Sequence, residues 1–279
     1  MTSIVIPAHN EGQVIGRLLD SLLAGPAEDE TDIVVVCNGC TDDTAQVAAA
    51  RGPRVRVVDI PTPSKHAALR AGDDHARGFP RVYVDADVVI TGADVRALTQ
   101  PLGDDASDIL ATAPERQIPL AGCAWRVRAY YRVWQQLPAV RAGLFGRGVI
   151  AVSKAGHARI AALPPLMADD LAASLAFTPE ERLVVGAASV VVHPPRTWRD
   201  LMKRRVRAAV STAQVEQHRA PEEASARTST ADLKALIRRD PKLLIVFVAA
   251  AVAARRRAGK AIRAQDFGTW LRDESSRQN

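Results

Sequence analysis

Asp85 and Asp87 stand two residues apart at the end of an apolar run, VYVDADVVI. Neighbouring carboxylates repel unless a cation joins them. Hard cations such as Mg2+ or Mn2+ take oxygen ligands of this kind and keep room for substrate phosphates. Taken alone the pair also reads as surface or helix-capping acids, with Thr91 available as a cap. A second chemical pattern is Cys37 and Cys40, spaced C-x-x-C in VVVCNGCTDDT. Structural zinc wants four ligands. Cys123 is the one further cysteine, and no second pair or histidine cluster supports a zinc site. A redox site at a helix start is geometrically conceivable, but the Asn-Gly centre and the following TDD argue for a loop built for something else.

Both patterns sit at the ends of regular elements. SIVIP, DIVVVC, VRVVDI and RVYVDAD read as short strands rich in branched residues. Between them lie helical patterns. EGQVIGRLLDSLLAG has Val14, Ile15, Leu18, Leu19, Leu22 and Leu23 at helical spacing, with Gly25 beyond its end. TDDTAQVAAARG takes Thr41 as N-cap and Gly52 as stop, and SKHAALRAGDDHARG is a third helix. Such alternation predicts a parallel sheet with helices on both faces. Ligands of these sheets bind at the carboxyl ends of the strands. The polar clusters PAHNE, NGCTDD and DAD all fall there.

Later in the chain the rhythm loosens. DILATAPERQ and GRGVIAVSKAG read as strands, AWRVRAYYRVWQQL as an amphipathic helix, and RLVVGAASVVVHPP as two short strands. PPLMADDLAASLAF starts as a loop and becomes a helix, and the chain beyond Arg196 is mostly helical. Residues 219–230 read as a polar linker, and TWLRDESSR near the end as a docking segment.

The 279 residues are 47% hydrophobic and 24% charged, which fits a globular protein with a sizeable core. Aromatics are 4%, so the core must be aliphatic. The net charge of +6 is concentrated late, at Lys203, Arg204, Arg205 and Arg207 and at Arg255, Arg256 and Arg257. No nucleic-acid motif or aromatic interleaving accompanies it, so no nucleic-acid partner is expected. Three cysteines make no disulfide framework, and the start has no signal-peptide pattern. A cytoplasmic protein is expected. The run LLIVFVAAAVAA has twelve residues, short of the ~20 that span a bilayer. It reads as a buried helix. The alternative is an interfacial helix with Arg255–Arg257 on lipid headgroups, a peripheral contact with the inner face of an anionic membrane.

SIVIPAHNEGQVIGRLLDSLL, VVVCNGCTDDTAQVA, KHAALRAG and VYVDADVVI, in this order, resemble the nucleotide-sugar half of family 2 glycosyltransferases over roughly residues 1–100. The resemblance implies the glycosyltransferase-A fold. This is an α/β architecture, a mostly parallel Rossmann-like sheet flanked by helices, here with a helical C-terminal extension. The family's usual second motif is V-D-D-G-S-T-D-G-T. Here Cys37 and Asn38 replace the acids, Cys40 the serine and Asp43 the glycine. The resemblance implies that Pro7, Ala8 and Glu11 hold base and ribose, and that Cys37, Asn38 and Gly39 line the nucleobase. Lys65 would approach the diphosphate. Arg70 stands where the family commonly has Asn, as a phosphate contact or a solvated residue. Asp85 would meet ribose or metal, with Ala86 beside it. Asp87 would ligate the Mg2+ or Mn2+ that bridges the diphosphate.

MADDLAASLAF resembles the family's E-D-x-x-L segment, which supplies a general base for an acceptor hydroxyl. Asp170 aligns with that base and Asp169 is the second choice; both also read as helix caps. His193 is a further metal ligand or a structural residue. Arg196, Arg199, Arg204 and Arg205 are candidates for contacts to the diphosphate or acceptor, although the Q-x-x-R-W pattern of processive relatives is absent. Trp125, Tyr130, Tyr131 and Trp134 could stack on an acceptor sugar or pack as core. The expected organisation is a nucleotide-sugar half over 1–115, an acceptor half over 116–218, and a linker with helical tail over 219–279. The implied activity moves a sugar from a nucleoside-diphosphate-sugar donor, UDP-sugar favoured, to a hydroxyl acceptor by direct, inverting displacement. Cell-envelope polysaccharide or glycolipid synthesis is the family-level role. A catalytically inactive binding scaffold is the alternative. A sugar nucleotidyltransferase is disfavoured, because PAHNEGQ replaces the Gly-rich basic loop after the first strand.

Overall fold

The computed structural model describes residues 1–24, 31–103, 107–163, 169–217 and 241–263. The strands are β1 (Thr2–Ala8), β2 (Thr31–Asn38), β3 (Val55–Ile60), β4 (Arg81–Val84), β5 (Ala111–Gln117), β6 (Val149–Val152) and β7 (Arg182–Val191). Among the described residues these seven form one sheet in the order β3-β2-β1-β4-β6-β5-β7. β6 runs antiparallel to both of its neighbours; all other pairs are parallel. This is the mostly parallel, helix-flanked sheet expected from the alternating pattern.

Two sets of helices cover the sheet. Ile33, Val35 and Cys37 of β2 face the cluster that includes Ile15, Leu18 and Leu19 of α1 (Gly12–Leu23). Val34 and Val36 face the other way, against Ala68 of α3 (Lys65–His75). β2 is therefore apolar on both faces, the condition that makes a parallel strand read as a continuous run. On the same side Gly72 lies so close to Val5 that a Cβ there would come within 2.3 Å of its Cγ1.

Capping departs from the sequence reading at one helix. α2 (Thr44–Ala49) starts three residues after Thr41, with Asp43 in the cap position. The Thr41 amide and hydroxyl both donate to Asn10 Oδ1, at 2.8 and 3.4 Å, and the first helical amide, of Thr44, donates to Asp42 Oδ1 at 3.1 Å. Thr91 does cap α4 (Gly92–Thr99), in a reciprocal box with Asp94. α3 is capped by Ser64, whose Oγ accepts from the Ala67 amide at 3.2 Å.

Residues 182–191 form one strand rather than two, but its pairing with β5 slips. Pro114 opposes Val185, and the next residue, Glu115, opposes Ser189. Gly186, Ala187 and Ala188 fill the irregularity, which explains why the segment looks interrupted in sequence.

The chain divides into two compact units. The first comprises Met1–Ile118, Gly146–Pro164 and Ala176–Val192, and holds the sheet and α7 (Lys154–Ala161). The second comprises Pro119–Phe145, Pro165–Leu175 and His193–Asn279. It contains α5 (Trp125–Trp134), α6 (Pro138–Ala142), α8 (Asp169–Leu175), α9 (Trp198–Gln217) and α10 (Pro241–Arg263). Tyr130 and Tyr131 of α5 are buried, and Tyr130 stacks on Phe247 of α10 with centroids 5.1 Å apart. Core packing thus accounts for these two aromatics. Among the described residues no helix is long and apolar enough to cross a membrane. Gly25, the linker at 219–230 and the segment 269–277 lie outside the described residues.

Candidate active site

The loops that follow β1 and β2 are stitched together by polar groups. His9 Nδ1 is 2.6 Å from the Asn38 carbonyl oxygen, so Nδ1–H donates there. Asn38 Nδ2 donates to the Ala8 carbonyl at 2.8 Å. Cys40 Sγ donates to that same oxygen and accepts from the Asn10 amide, both at 3.4 Å. Asn10 sits at φ 53°, where its carboxamide can accept from Thr41. Thr44 Oγ1 accepts from the Glu11 amide at 2.8 Å. Asp42 accepts from the Gly12 amide at 3.1 Å and from Thr44. Burial pulls the Asp42 pKa upward, but the donors from Thr44 and Gly12 outweigh it and hold the carboxyl below its usual range.

The C-x-x-C pattern belongs to this stitch. Cys37 is buried, and burial first, with Cys40 and Asp59 adding to it, pushes its pKa up to about 12. Such a thiol is protonated and unreactive at neutral pH. The cysteines are free, and Cys40 bridges the two loops. Asn38 is 3% exposed and one of its amide hydrogens is engaged by Ala8. Its first role is to hold the loop. Pro7 and Ala8 are buried at the end of β1, and Glu11 is buried at the start of α1.

The carboxylates come next. β4 ends at Val84, and the chain turns, with the Val88 amide 3.4 Å from the Asp85 carbonyl. Asp85 and Asp87 are half-buried, while Ala86 and Val88 are buried. Lys65 Nζ pairs with Asp85 Oδ1 at 2.8 Å. The far end of α3 is pinned as well. Asp73 accepts from Tyr83 Oη at 2.8 Å and pairs with Arg81. α3 is thus fixed to the β4 segment at both ends, which places its first residue at the aspartates. Arg70 is exposed in the second turn of the same helix.

GRGVIAVSKAG reads as a strand and is one, β6, but the sequence did not show that its entry backs Asp85. The Asp85 amide donates to the Gly148 carbonyl at 2.7 Å. Gly148 has φ 66°, and a Cβ there would lie 2.5 Å from Val88 Cγ1 and 3.3 Å from Asp85 Oδ2. Arg147 beside it is 3% exposed and donates to the Pro114 carbonyl at 2.7 Å. Burial pulls the Arg147 pKa down to about 10, against the opposing pull of Glu115. The sequence signal was GRG before a strand, which marks backbone freedom but names no partner. His9, Asn10, Asp42 and Thr44 were missed for the same reason: their partners are about thirty residues away.

The remaining candidates lie in the second unit. Asp170 is exposed at the start of α8, and the Leu171 amide lies 2.7 Å from its Oδ1. Asp169 opens the same helix. Arg204 reaches Tyr131 Oη at 3.3 Å and the His193 carbonyl at 3.5 Å. The Arg196 carbonyl accepts from the Ala124 amide at 2.9 Å, and the Arg196 and Arg199 side chains are exposed. Trp125 is 58% exposed, and the guanidinium of Arg126 lies 5.5 Å from its ring centroid. The donor candidates therefore gather in one unit. Asp169, Asp170, His193, Arg196, Arg199, Arg204 and Trp125 belong to the other.

Among the described residues no three His, Cys, Asp or Glu side chains form a ready-made metal cage. The donor set still fits a hard cation. Mg2+-type sites use one or two carboxylates and complete their shell with water and substrate phosphates. Asp87, with Asp85 beside it, is such a set.

Comparison with known proteins agrees with this architecture. A dolichyl-phosphate beta-glucosyltransferase of Trichomonas vaginalis is 35% identical over 97 residues, covering 31% of this chain and 29% of the relative. A 4,4'-diaponeurosporenoate glycosyltransferase of Staphylococcus aureus is 37% identical over 97 residues, covering 33% and 25%. The chain thus spans under a third of the length of these curated relatives. Among solved structures, a mannosyltransferase from Pyrobaculum calidifontis in complex with GDP-Man and Mn2+ superposes with a TM-score of 0.62. It is 20% identical over 96% of this chain and 76% of that one. Glucosyl-3-phosphoglycerate synthase from Mycobacterium tuberculosis, in complex with Mn2+, UDP-glucose and phosphoglyceric acid, gives 0.56 at 22% identity over 77% and 80%. The fold is the glycosyltransferase-A fold. Residues 3–153, more than half of the chain, match the profile of glycosyl transferase family 2, and the chain belongs to that family.

Proposed function

We propose that this protein transfers a sugar from a nucleoside-diphosphate-sugar donor to a hydroxyl acceptor with the help of Mg2+ or Mn2+. The observation that carries this reading is the Lys65–Asp85 pair at 2.8 Å, beside Asp87, where β4 ends. A cation and two carboxylates at the carboxyl end of a parallel sheet suit a metal diphosphate. Both structural neighbours described above hold a nucleotide sugar and Mn2+, which supports the donor class.

Each residue then has a task. Asp87 ligates the cation, and Asp85 positions Lys65 or shares the metal. The cation, when bound, stabilises the negative charge that develops on the departing diphosphate. Lys65 adds a point charge to the same oxygens. Pro7, Ala8, Glu11, Cys37, Asn38 and Gly39 form the base and ribose wall, with Ala86 beside them. Asp170, with Asp169 as the second choice, takes the proton from the acceptor hydroxyl as it attacks. Direct displacement inverts the anomeric centre. Trp125, Arg196, Arg199 and Arg204 serve the acceptor or the diphosphate, and Arg70 serves the phosphates. His193 is a candidate for completing the metal shell. UDP is the favoured nucleotide, and the setting is cytoplasmic synthesis of envelope polysaccharide or glycolipid.

One observation favours a second reading, a binding scaffold without turnover. Asn38 is buried, bonded to Ala8, and carries no charge to offer a base. A thermal-shift panel separates the two. UDP, GDP and dTDP are each tested with and without Mn2+, on wild type and Asp87→Ala. A ligand that binds the native state raises its melting temperature. A metal-dependent shift with one nucleotide, lost in Asp87→Ala, is expected. No shift with any nucleotide overturns the transferase reading. A shift without transfer across a panel of donors and acceptors favours the scaffold.

A further inference from the structure

The second unit carries a surface that the transfer reaction does not use. Ile245 is 69% exposed, Val248 39% and Val252 42%. All three lie on α10, at i, i+3 and i+7, which places them on one stripe of the helix. The opposite stripe is occupied. Leu244, Phe247, Ala250, Ala254 and Ala258 are buried, and Phe247 stacks on Tyr130 of α5. α10 is therefore held by one face and presents an aliphatic row on the other.

Among the described residues of α10 the charges have one sign. Lys242 is exposed one turn before Ile245. Arg255, Arg256 and Arg257 are exposed one turn after Val252 and make no ion pair or hydrogen bond among the described residues. Residues 241–263 contain no Asp or Glu. From Lys242 to Arg256 the stripe extends about 21 Å along the helix axis. Long cationic side chains at both ends can keep their charge in a headgroup layer while the aliphatic row enters the acyl boundary. A protein partner would require polar groups to satisfy a hydrogen-bonded rim. Among its described residues this face of α10 offers aliphatic and cationic groups.

We propose that the outward face of α10 docks in the plane of an anionic bilayer surface. Apolar burial holds the helix at the interface, and the flanking cations select negatively charged headgroups. The contact is peripheral, and no segment of α10 crosses the membrane. It does not depend on the transferase reading, because docking needs neither donor nor acceptor.

Vesicle co-sedimentation of the full chain tests this without nucleotide or metal. Binding is expected to phosphatidylcholine vesicles containing phosphatidylglycerol and not to phosphatidylcholine alone. It should weaken when salt rises from about 0.1 M to about 1 M, because the Debye length falls about threefold. Arg255→Ser/Arg256→Ser should lower the partition coefficient by about ten- to thirtyfold. Ile245→Glu/Val252→Glu should abolish binding with an unchanged circular-dichroism spectrum. If that variant misfolds, the arginine variant, whose substitutions are exposed, decides alone. Equal binding to neutral and anionic vesicles overturns the proposal, as does wild-type affinity in the arginine variant. A wild-type dimer that Ile245→Glu/Val252→Glu converts to monomer, without vesicle binding, also overturns it and makes the face a contact between copies.

Discussion

Lys65 Nζ lies 2.8 Å from Asp85 Oδ1, joining the first residue of α3 to the turn after β4. Both side chains are about one-third exposed, at 32% and 38%. A pair this wet contributes little to stability, under about 1 kcal/mol. The pair holds the Lys65 ammonium at the carboxyl end of β4, beside Asp87. Under the proposed function that position sets the charge against the donor diphosphate.

Lys65→Met should therefore separate activity from stability. The expected outcome is a fall in kcat/KM of about a hundred- to a thousandfold, the scale of a lost charge-stabilising donor. The urea midpoint should move little. Steady-state kinetics beside a urea melt reads both. A large stability loss with intact kinetics would make the pair structural.

Gly148→Ala should damage both. The substitution adds a side chain at φ 66° and brings Cβ to 2.5 Å from Val88 Cγ1 and 3.3 Å from Asp85 Oδ2. The left-handed conformation alone costs about 1–2 kcal/mol. The contact with Val88 adds to it. The variant should melt earlier and bind nucleotide with metal less tightly, since the Asp85 amide rests on the Gly148 carbonyl. Wild-type affinity in a folded variant would show that Asp85 tolerates displacement.

Asp42→Asn should weaken the clasp between the loops in a pH-dependent way. In the folded protein the carboxyl pKa lies below its ordinary value: burial raises it, and the bonds from Thr44 and Gly12 lower it more. The unfolded carboxyl titrates near ~3.9. The stabilisation is fully present above that value and is lost as pH falls through the folded pKa. Wild type should exceed Asp42→Asn in stability at pH 7. The difference should shrink below about pH 4. Urea melts at several pH values measure it; a constant difference would refute the linkage.

Asp170→Asn tests the general base. Asp170 is exposed, and the Leu171 amide lies 2.7 Å from its Oδ1. As a base, its loss should lower kcat by about a hundred- to ten-thousandfold. As a helix cap alone, it should leave kcat unchanged and cost stability by up to about 1 kcal/mol. Turnover measured beside a melt distinguishes the roles. The same pair of measurements on Asp169→Asn ranks the two acids.

Short windows of sequence were enough for much of the first unit. Branched runs and helical spacing mark β1 to β4 and α1 to α3, because burial on one or both faces imposes a period within ten residues. The same rhythm located PAHNE, NGCTDD and DAD at the carboxyl ends of strands. Thr91 behaves as the cap it was available to be, because its partner Asp94 is three residues away.

What the sequence could not contain were contacts whose partners are far along the chain. Thr41 looks like a helix cap but bonds to Asn10, thirty-one residues back. Cys37 and Cys40 look like a thiol pair, yet folding buries the first and lays the second between two loops. Nothing local in GRG announces that β6 enters the sheet antiparallel and places Gly148 against Asp85. The amino-acid order determined which residues would reach the strand ends. Tertiary folding decided which of them touch, because those contacts depend on strand order and register, set by long-range pairing rather than by neighbouring residues.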